Sequence, residues 1–414
     1  MPISPARQAQ SGLPSSTEAN GLASMPRILR IINRFNLGGP TYNAAYLSRY
    51  LAPEFETLLI GGVPQPGEAH SGFIPESLGV PYTEIPSMGR ALHPLHDLES
   101  CRAILRIIRE FRPDVVHTHA SKAGALGRLA ARAAGVPAIV HTFHGHVFEG
   151  YFSPWKSRLI CSAERYLARY SHAIIAISDR QRDDLIRRFA IAPEAKVRLI
   201  PLGFDLDRFT ADQETHRAAF RMRYHLQPHE CAVGIIGRLA PVKDHDLFLR
   251  ALAGARKQAP HLRAFIIGDG ALRIPLMALC SQLGLTTSDG SHPADVVFTS
   301  WIENIPPVLH GLDMVALSSL NEGTPVSLIE AQAAALPVIS TDVGGVRDVV
   351  TDGVTGLITP PGSAAAMTDA LVRLAGDPML RAELGQAGQA FVFPRYHYQR
   401  LVADTRELYL RLIS

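Results

Sequence analysis

Two carboxylates stand eight residues apart in the stretch Asn321-Glu322-Gly323-Thr324-Pro325-Val326-Ser327-Leu328-Ile329-Glu330, whose middle reads as a loop turning into a helix. The largely apolar run at 313–317 before it reads as a buried strand. Thr324 is placed to cap a helix that has Pro325 at its first position, where a missing N–H costs nothing. Glu322 then sits at the loop tip and Glu330 about two turns inside. The free N–H groups of the first helical turn and the positive end of the helix dipole form an anion site suited to a diphosphate. A carboxylate that accepts from two hydroxyls is a natural reader of a ribose or a hexose. Two cations fit the same chemistry. Arg238 directly follows an apolar run, and Lys243 lies five residues on, at the start of the next helical pattern. Together they would neutralise charge growing on a departing diphosphate; an isolated pair would be ordinary solvated surface charge.

Other residues carry a functional and a plain reading. The loop Asn33–Thr41 follows the first strand and opens a helix, and its paired Gly38 and Gly39 allow a ligand close to the backbone or merely make a tight turn. His117, His119, His141, His144 and His146 gather at the ends of two adjacent predicted strands. Zinc is one reading of imidazoles two residues apart, but no carboxylate or thiolate stands at ligand spacing; pocket lining or hydrogen-bonded core histidines are the others. Trp301, after the predicted strand Val296–Thr299, is either a pocket residue or core. Asp205-Leu206-Asp207 has the spacing of a metal-binding pair but sits in a linker, where turn and helix capping suffice. Gly268-Asp269-Gly270 lacks the third glycine of a dinucleotide fingerprint, Arg273 standing in its place, and reads as a strand-end turn.

The elements that must position these residues follow from the apolar pattern. At 414 residues, with 47% hydrophobic and 7% aromatic content, the chain is long enough for two domains of layered helices and strands. In the first half the predicted strands are Arg27–Ile32, Thr57–Gly61, Asp114–His117, Ala138–Thr142, Ala173–Ile177 and Val197–Ile200, with helices such as Glu99–Glu110 and Ala123–Ala134 between them. In the second half they are Ala232–Gly237, Arg263–Gly268, Val296–Thr299, Met314–Leu317, Val338–Ser340 and Gly356–Ile358. That alternation predicts an α/β protein with two Rossmann-like units. The boundary falls in Pro201–Arg208, and an amphipathic segment, Tyr396–Ile413, comes last, with Leu401, Val402, Thr405, Leu408, Tyr409 and Leu412 on one face. Residues 1–25 are rich in Ser, Pro, Ala and Gln and read as a disordered tail rather than a secretion signal. No run approaches the roughly 18 apolar residues of a membrane span. Cys101, Cys161, Cys231 and Cys280 are far apart, without a CxxC, and read as buried free thiols.

These motifs, in this order, resemble the retaining glycosyltransferases of the GT-B fold, specifically family 4, the glycosyl transferases group 1. That family carries Glu, seven residues, Glu in its C-terminal half. Downstream, 335–346, Ala-Leu-Pro-Val-Ile-Ser-Thr-Asp-Val-Gly-Gly-Val, matches its strand and Gly-Gly turn; upstream, Gly237-Arg238-Leu239 and Lys243 match its diphosphate-binding arginine and lysine. The chain departs from the family at Asp244, where Gly follows the lysine, and at Leu202, where the linker has Asn. The resemblance implies two facing Rossmann-like domains with the active site in the cleft between them. Residues 26–203 would bind the acceptor, 204–392 the nucleotide sugar, and 393–414 would form a helix crossing back to the first domain. It implies a nucleotide-sugar donor, with Arg238 and Lys243 on the diphosphate, Glu330 on the ribose, and Glu322 with the backbone of Gly323, Thr324, Pro325 and Val326 on the sugar. Gly38 and Gly39 would lie beside the diphosphate, Trp301 near the base, and His144 near the donor sugar. No cofactor and no metal are implied, because the nucleotide sugar is a substrate.

The expected activity is therefore transfer of a hexose or N-acetylhexosamine, from a UDP-sugar in preference to a GDP-sugar, to a saccharide or lipid-linked saccharide in cell-surface polysaccharide or glycolipid synthesis. A non-hydrolysing nucleotide-sugar epimerase and a non-catalytic nucleotide-sugar-binding scaffold share the plan; intact Glu322, Glu330, Arg238 and Lys243 argue against the scaffold. Net charge is only +3, which with no nucleic-acid motif disfavours a nucleic-acid partner. It divides as +7 over residues 1–204 and −4 over 205–414. Phe148–Arg169 interleaves aromatic residues with Lys156, Arg158, Arg165 and Arg169, the composition of either a domain-flank helix or one lying on an anionic membrane. The expected location is the cytoplasm, with peripheral docking on the inner leaflet of the plasma membrane as the finer expectation.

Overall fold

The computed structural model describes residues 25–36, 39–64, 70–89, 93–145 and 154–414. Its strands are β1 (Arg27–Ile32), β2 (Glu56–Gly62), β3 (Tyr82–Ile85), β4 (Val115–His119), β5 (Ala138–Phe143), β6 (Ala173–Ala176), β7 (Val197–Leu199), β8 (Cys231–Ile236), β9 (Leu262–Ile267), β10 (Thr287–Ser288), β11 (Val296–Ser300), β12 (Met314–Leu317), β13 (Val338–Thr341) and β14 (Gly356–Thr359). They form two seven-stranded sheets, ordered β3-β2-β1-β4-β5-β6-β7 and β10-β11-β9-β8-β12-β13-β14. Neighbouring strands pair parallel throughout, for example Ile28 with Val115 and Val315 with Val338. A parallel sheet must be covered on both faces, and the alternating residues show it. Ile28, Val115, Val140 and Ile175 enter one core cluster of the first sheet, while Leu29, Ile31, Val116 and Ile139 enter the opposite one. In the second sheet Val233, Ile235 and Ile266 face one way and Ala232, Phe265 and Ile267 the other.

Every predicted strand is present within two residues of its expected bounds, and two were missed. β3 and β10 are edge strands of 4 and 2 residues, Tyr-Thr-Glu-Ile and Thr-Ser. Edges are half-solvated, so they lack the apolar run that announces a central strand.

The two units are joined by paired crossover segments. Phe204 N–H donates to the Tyr396 carbonyl at 2.8 Å and Tyr398 N–H to the Phe204 carbonyl at 2.9 Å. The helix Tyr398–Ile413 then packs on the first sheet, with Leu401, Leu408 and Tyr409 in the same cluster as Ile28, Leu47 and Phe55. Each such buried side chain contributes roughly 1.5–3 kcal/mol. The acids of Asp205-Leu206-Asp207 cap no helix. Asp207 opens a 3₁₀ turn and its carboxylate meets His397 Nε2 at 3.1 Å, while Asp205 lies beside the Tyr46 phenol. Cys161, Cys231 and Cys280 are buried, but Cys101 is only partly so, because it lies on the flank of the amphipathic helix Pro94–Phe111.

Candidate active site

Each sheet has a central point at which its connections turn to the opposite side, between β1 and β4 and between β8 and β12. The crevice outside the carboxyl ends of strands at such a switch point is where open α/β sheets bind ligands. Arg238 leaves β8 and Glu322 follows β12, so the two flank the second switch point. Arg238 is exposed. Lys243 ends the 3₁₀ turn Pro241–Lys243, and its Nζ reaches Glu322 Oε1 at 2.6 Å. The Ser319 hydroxyl donates to the same oxygen at 2.5 Å, and the Ser318 hydroxyl donates to the Lys243 carbonyl at 2.9 Å. Asp244 adopts φ 43°, ψ 52°, the left-handed conformation that favours Gly, and accepts from Leu247 N–H at 3.4 Å. Asp is a residue that tolerates this region and caps helices.

The loop at Glu322–Gly323 leans on the turn Gly344-Gly345. Gly345 N–H donates to the Glu322 carbonyl at 3.2 Å, and a Cβ on Gly344 would lie 1.8 Å from that carbonyl oxygen. Only Gly fits there. Gly268 and Gly270 have the same reason for being glycine: a Cβ on either would strike the Gly237 or Leu239 carbonyl, at 2.0 and 2.5 Å. They are packing residues of a strand-end turn.

The expected cap at Thr324 is corrected by the structure. The helix is Val326–Ala333; Pro325, at ψ 89°, occupies the position before it, and no side chain caps. Pro325 is not yet helical there, so the helix starts one residue late and the Thr324 Oγ1 is left buried without a partner. Glu330 is consequently the fifth helical residue, a little over one turn inside. It is partly accessible but deep in the cleft, and burial pushes its carboxyl up to about 7 against the opposing pull of Arg208. Tyr42, from the first helix of the other unit, feels the charges of Glu330, Arg208 and Glu303. Tyr42, Arg208 and Ser319 were not singled out from sequence, since only the fold brings them beside the two glutamates.

Across the cleft lies the histidine group. His117 bridges the Tyr409 phenol (Nδ1, 2.5 Å) and the Thr142 hydroxyl (Nε2, 2.7 Å), and His141 Nδ1 pairs with the Thr118 hydroxyl at 2.8 Å. His119 Nδ1 meets His144 Nε2 at 2.9 Å. Burial lowers the basicity of all four, His144 to about 3, so each is neutral at pH 7. No three His, Cys, Asp or Glu side chains converge as metal ligands among the described residues. The outer Nδ1 of His144 is buried without a partner, and the His144 carbonyl lies 3.9 Å from where a Cβ on Gly323 would be. His144 and the Glu322 loop therefore face each other. His146 and Gly38 lie outside the described residues. Gly39 begins the helix Gly39–Tyr50, and a Cβ there would meet only Leu202 at 3.7 Å, an ordinary contact. Trp301 is 53% exposed, which removes the core reading.

Residues 38–203 match the family model described as glycosyl transferase 4-like domain, and residues 230–377 the one described as glycosyl transferases group 1. A D-inositol 3-phosphate glycosyltransferase of Actinosynnema mirum is 33% identical over 301 residues, 67% of either chain. The chain belongs to the group 1 glycosyltransferases. The UDP-Gal:alpha-D-GlcNAc-diphosphoundecaprenol alpha-1,3-galactosyltransferase of Escherichia coli is 28% identical to it over 299 residues, 72% of this chain and 75% of that one. The crystal structure of Anabaena HepE in complex with UDP shares its fold, with a TM-score of 0.77 at 20% identity over 92% of this chain and 99% of that one. This glycosyltransferase accordingly has the two-domain α/β GT-B architecture.

Proposed function

We propose that this glycosyltransferase moves a hexose or N-acetylhexosamine from a UDP-sugar to a saccharide or lipid-linked saccharide, with retention of the anomeric configuration and without a metal. Residues 204–392 bind the donor and 26–203 the acceptor. The observation that carries the reading is the contact of Lys243 with Glu322 at the second switch point, which Arg238 also flanks, with the Thr324 hydroxyl buried and unpartnered two residues after Glu322. Arg238 and Lys243 hold the diphosphate, Glu322 and the Gly323–Val326 backbone the sugar, Glu330 the ribose, and Trp301 borders the base. The acceptor hydroxyl forms its bond to the anomeric carbon on the face from which the diphosphate departs, and the leaving phosphate oxygen takes the hydroxyl proton. Catalysis is then positioning and charge stabilisation. His144, neutral at pH 7, offers a hydrogen bond to the sugar rather than a charge. The name of the Escherichia coli relative, with a UDP-sugar donor and a diphospholipid acceptor, supports the same donor and acceptor classes here.

The deciding experiment incubates the protein with a panel of UDP-, GDP- and ADP-sugars and lipid-linked or free saccharide acceptors, with product configuration read by NMR. A UDP-hexose or UDP-N-acetylhexosamine is expected to turn over with retention. An inverted product overturns the mechanism, and turnover only with GDP- or ADP-sugars overturns the donor.

A docking surface is proposed on the helix Pro154–Ala168, where Trp155, Leu159 and Tyr166 are 63%, 64% and 48% exposed along one stripe beside Lys156 and Arg158. Its ligand would be an anionic membrane carrying the acceptor. No helix among the described residues is long and apolar enough to cross a membrane.

A further inference from the structure

The turn that supports the Glu322 loop is gripped from the opposite domain. Arg180, in the short helix Asp179–Asp183 that follows β6, donates from Nη1 to the Gly344 carbonyl at 3.0 Å. Beside it the Ser178 side chain faces the Asp348 carboxyl, one turn further along the same second-domain segment, and favours its ionised form against burial. Ser178 is itself held, its oxygen accepting from Gln181 N–H at 3.2 Å while Gln181 Oε1 accepts from Ile177 N–H at 2.9 Å. On the second-domain side, the Tyr396 phenol donates to the Asp348 carbonyl at 2.9 Å. Arg180 of the first domain thus grips the 344–348 segment of the second at the Gly344 carbonyl, with Ser178 beside Asp348.

The clasped turn has no slack against the sugar-facing loop. A Cβ on Gly344 would lie 1.8 Å from the Glu322 carbonyl oxygen, and one on Gly345 would lie 2.1 Å from that of Gly323. With Gly345 N–H bonded to the Glu322 carbonyl, a displacement of the turn must displace Glu322 and Gly323. Packed backbone transmits such shifts because interiors have few voids to absorb them.

We propose that Arg180 is a positioning residue for the transfer reaction: it ties domain closure to the placement of Glu322 and Gly323 by holding the Gly344-Gly345 turn. The proposal rests on the reading that Glu322 contacts the donor sugar. Arg180 touches no substrate; its hydrogen bond exists only when the domains are together, so the sugar subsite is in register only in the closed form.

The test compares wild type with Arg180→Ala, Arg180→Lys, Glu322→Gln and the Arg180→Ala/Glu322→Gln double variant, using the nucleotide sugar that the panel identifies as donor. Arg180→Ala is expected to lower kcat by about 10-fold to 100-fold, the scale of a small misplacement of reacting groups, with UDP affinity by calorimetry within twofold of wild type. Arg180→Lys, which keeps one donor for the Gly344 carbonyl, is expected to recover part of that loss. In the Glu322→Gln background, Arg180→Ala is expected to cost less than threefold more. Wild-type kcat in Arg180→Ala overturns the proposal, as does a full, unreduced effect of Arg180→Ala in the Glu322→Gln background. Near-wild-type activity of Glu322→Gln would instead overturn the sugar-contact assignment, and this inference with it.

Discussion

Lys243 Nζ and Glu322 Oε1 lie 2.6 Å apart, joining the turn after β8 to the loop after β12 across the point where the sheet's connections turn to the opposite side. The pair is a charge-assisted contact between the side chain proposed to hold the diphosphate and the one proposed to hold the sugar. Lys243→Ala and Arg238→Ala are each expected to lower kcat on the order of 10²-fold, because losing a donor aimed at developing anionic charge costs roughly 2.7–4 kcal/mol. The Lys243→Ala/Glu322→Ala double variant should fall short of the product of the single losses, since each single variant strands the other partner. Steady-state kinetics on wild type, Arg238→Ala, Lys243→Ala, Glu322→Ala and the double variant check this, and strictly multiplicative losses for the Lys243 and Glu322 changes would separate the two roles.

Chelation is expected to leave turnover unchanged. The measurement is activity after EDTA and again after added Mn²⁺ or Mg²⁺. Loss with EDTA and recovery with metal would overturn the metal-free mechanism and return attention to the histidine group.

Donor affinity is expected to depend on pH through Glu330. Its carboxyl, pushed up to about 7 by burial, must be ionised to accept from two ribose hydroxyls. Below that value the free protein must first lose a proton, so the Kd of a nucleotide sugar should rise toward tenfold per pH unit as pH falls from 7, and level off above it. Free UDP titrates nearby, whereas a nucleotide sugar does not, so the sugar is the ligand to use in calorimetry. Glu330→Gln should be weaker throughout and flat. A flat wild-type curve between pH 5.5 and 8 would remove Glu330 from the donor site.

Acid should destabilise the first domain. His117, His119, His141 and His144 are held neutral by burial, while in the unfolded chain they take up protons near 6.5. The unfolded state therefore binds more protons below that pH, and stability falls as pH drops. Each histidine that stays neutral in the fold contributes about 1.4 kcal/mol per pH unit to the loss. Glu330 acts in the opposite sense, because the fold retains a proton there that the unfolded chain releases, but it is one group against four. Thermal unfolding at pH 7.5 and 5.0 should show a marked drop in Tm, smaller in His141→Gln. Equal Tm at both values would mean the group is solvated.

Vesicle docking should depend on charge and on the exposed stripe. Wild type is expected to co-sediment with anionic vesicles at low ionic strength and to be released by salt, since each basic residue near such a surface contributes about 1 kcal/mol. Arg165 is occupied by the Phe189 and Ala190 carbonyls, so changing Lys156, Arg158 and Arg169 to Gln should suffice. Failure of wild type to bind anionic vesicles at low salt would favour a soluble acceptor.

The sequence by itself determined the layered α/β class, the central strands of both sheets and the ordered charged motifs that carry the family, because these are written in local apolar periodicity and short spacings. It did not show the edge strands β3 and β10, whose half-solvated residues leave no such pattern. It misplaced the start of the Val326–Ala333 helix, where Pro325 keeps a non-helical ψ that composition does not reveal. Residues such as Tyr42, Arg180, Arg208 and Ser319 acquire their meaning only from partners more than a hundred residues away or on a turn of unpredictable shape. Only the tertiary structure decided which histidines are tied up by Tyr409, Thr142 and Thr118 and which face the cleft. Hydrogen bonding and burial between distant strands are set by how the sheets close and the domains meet, and no spacing along the chain encodes that distance.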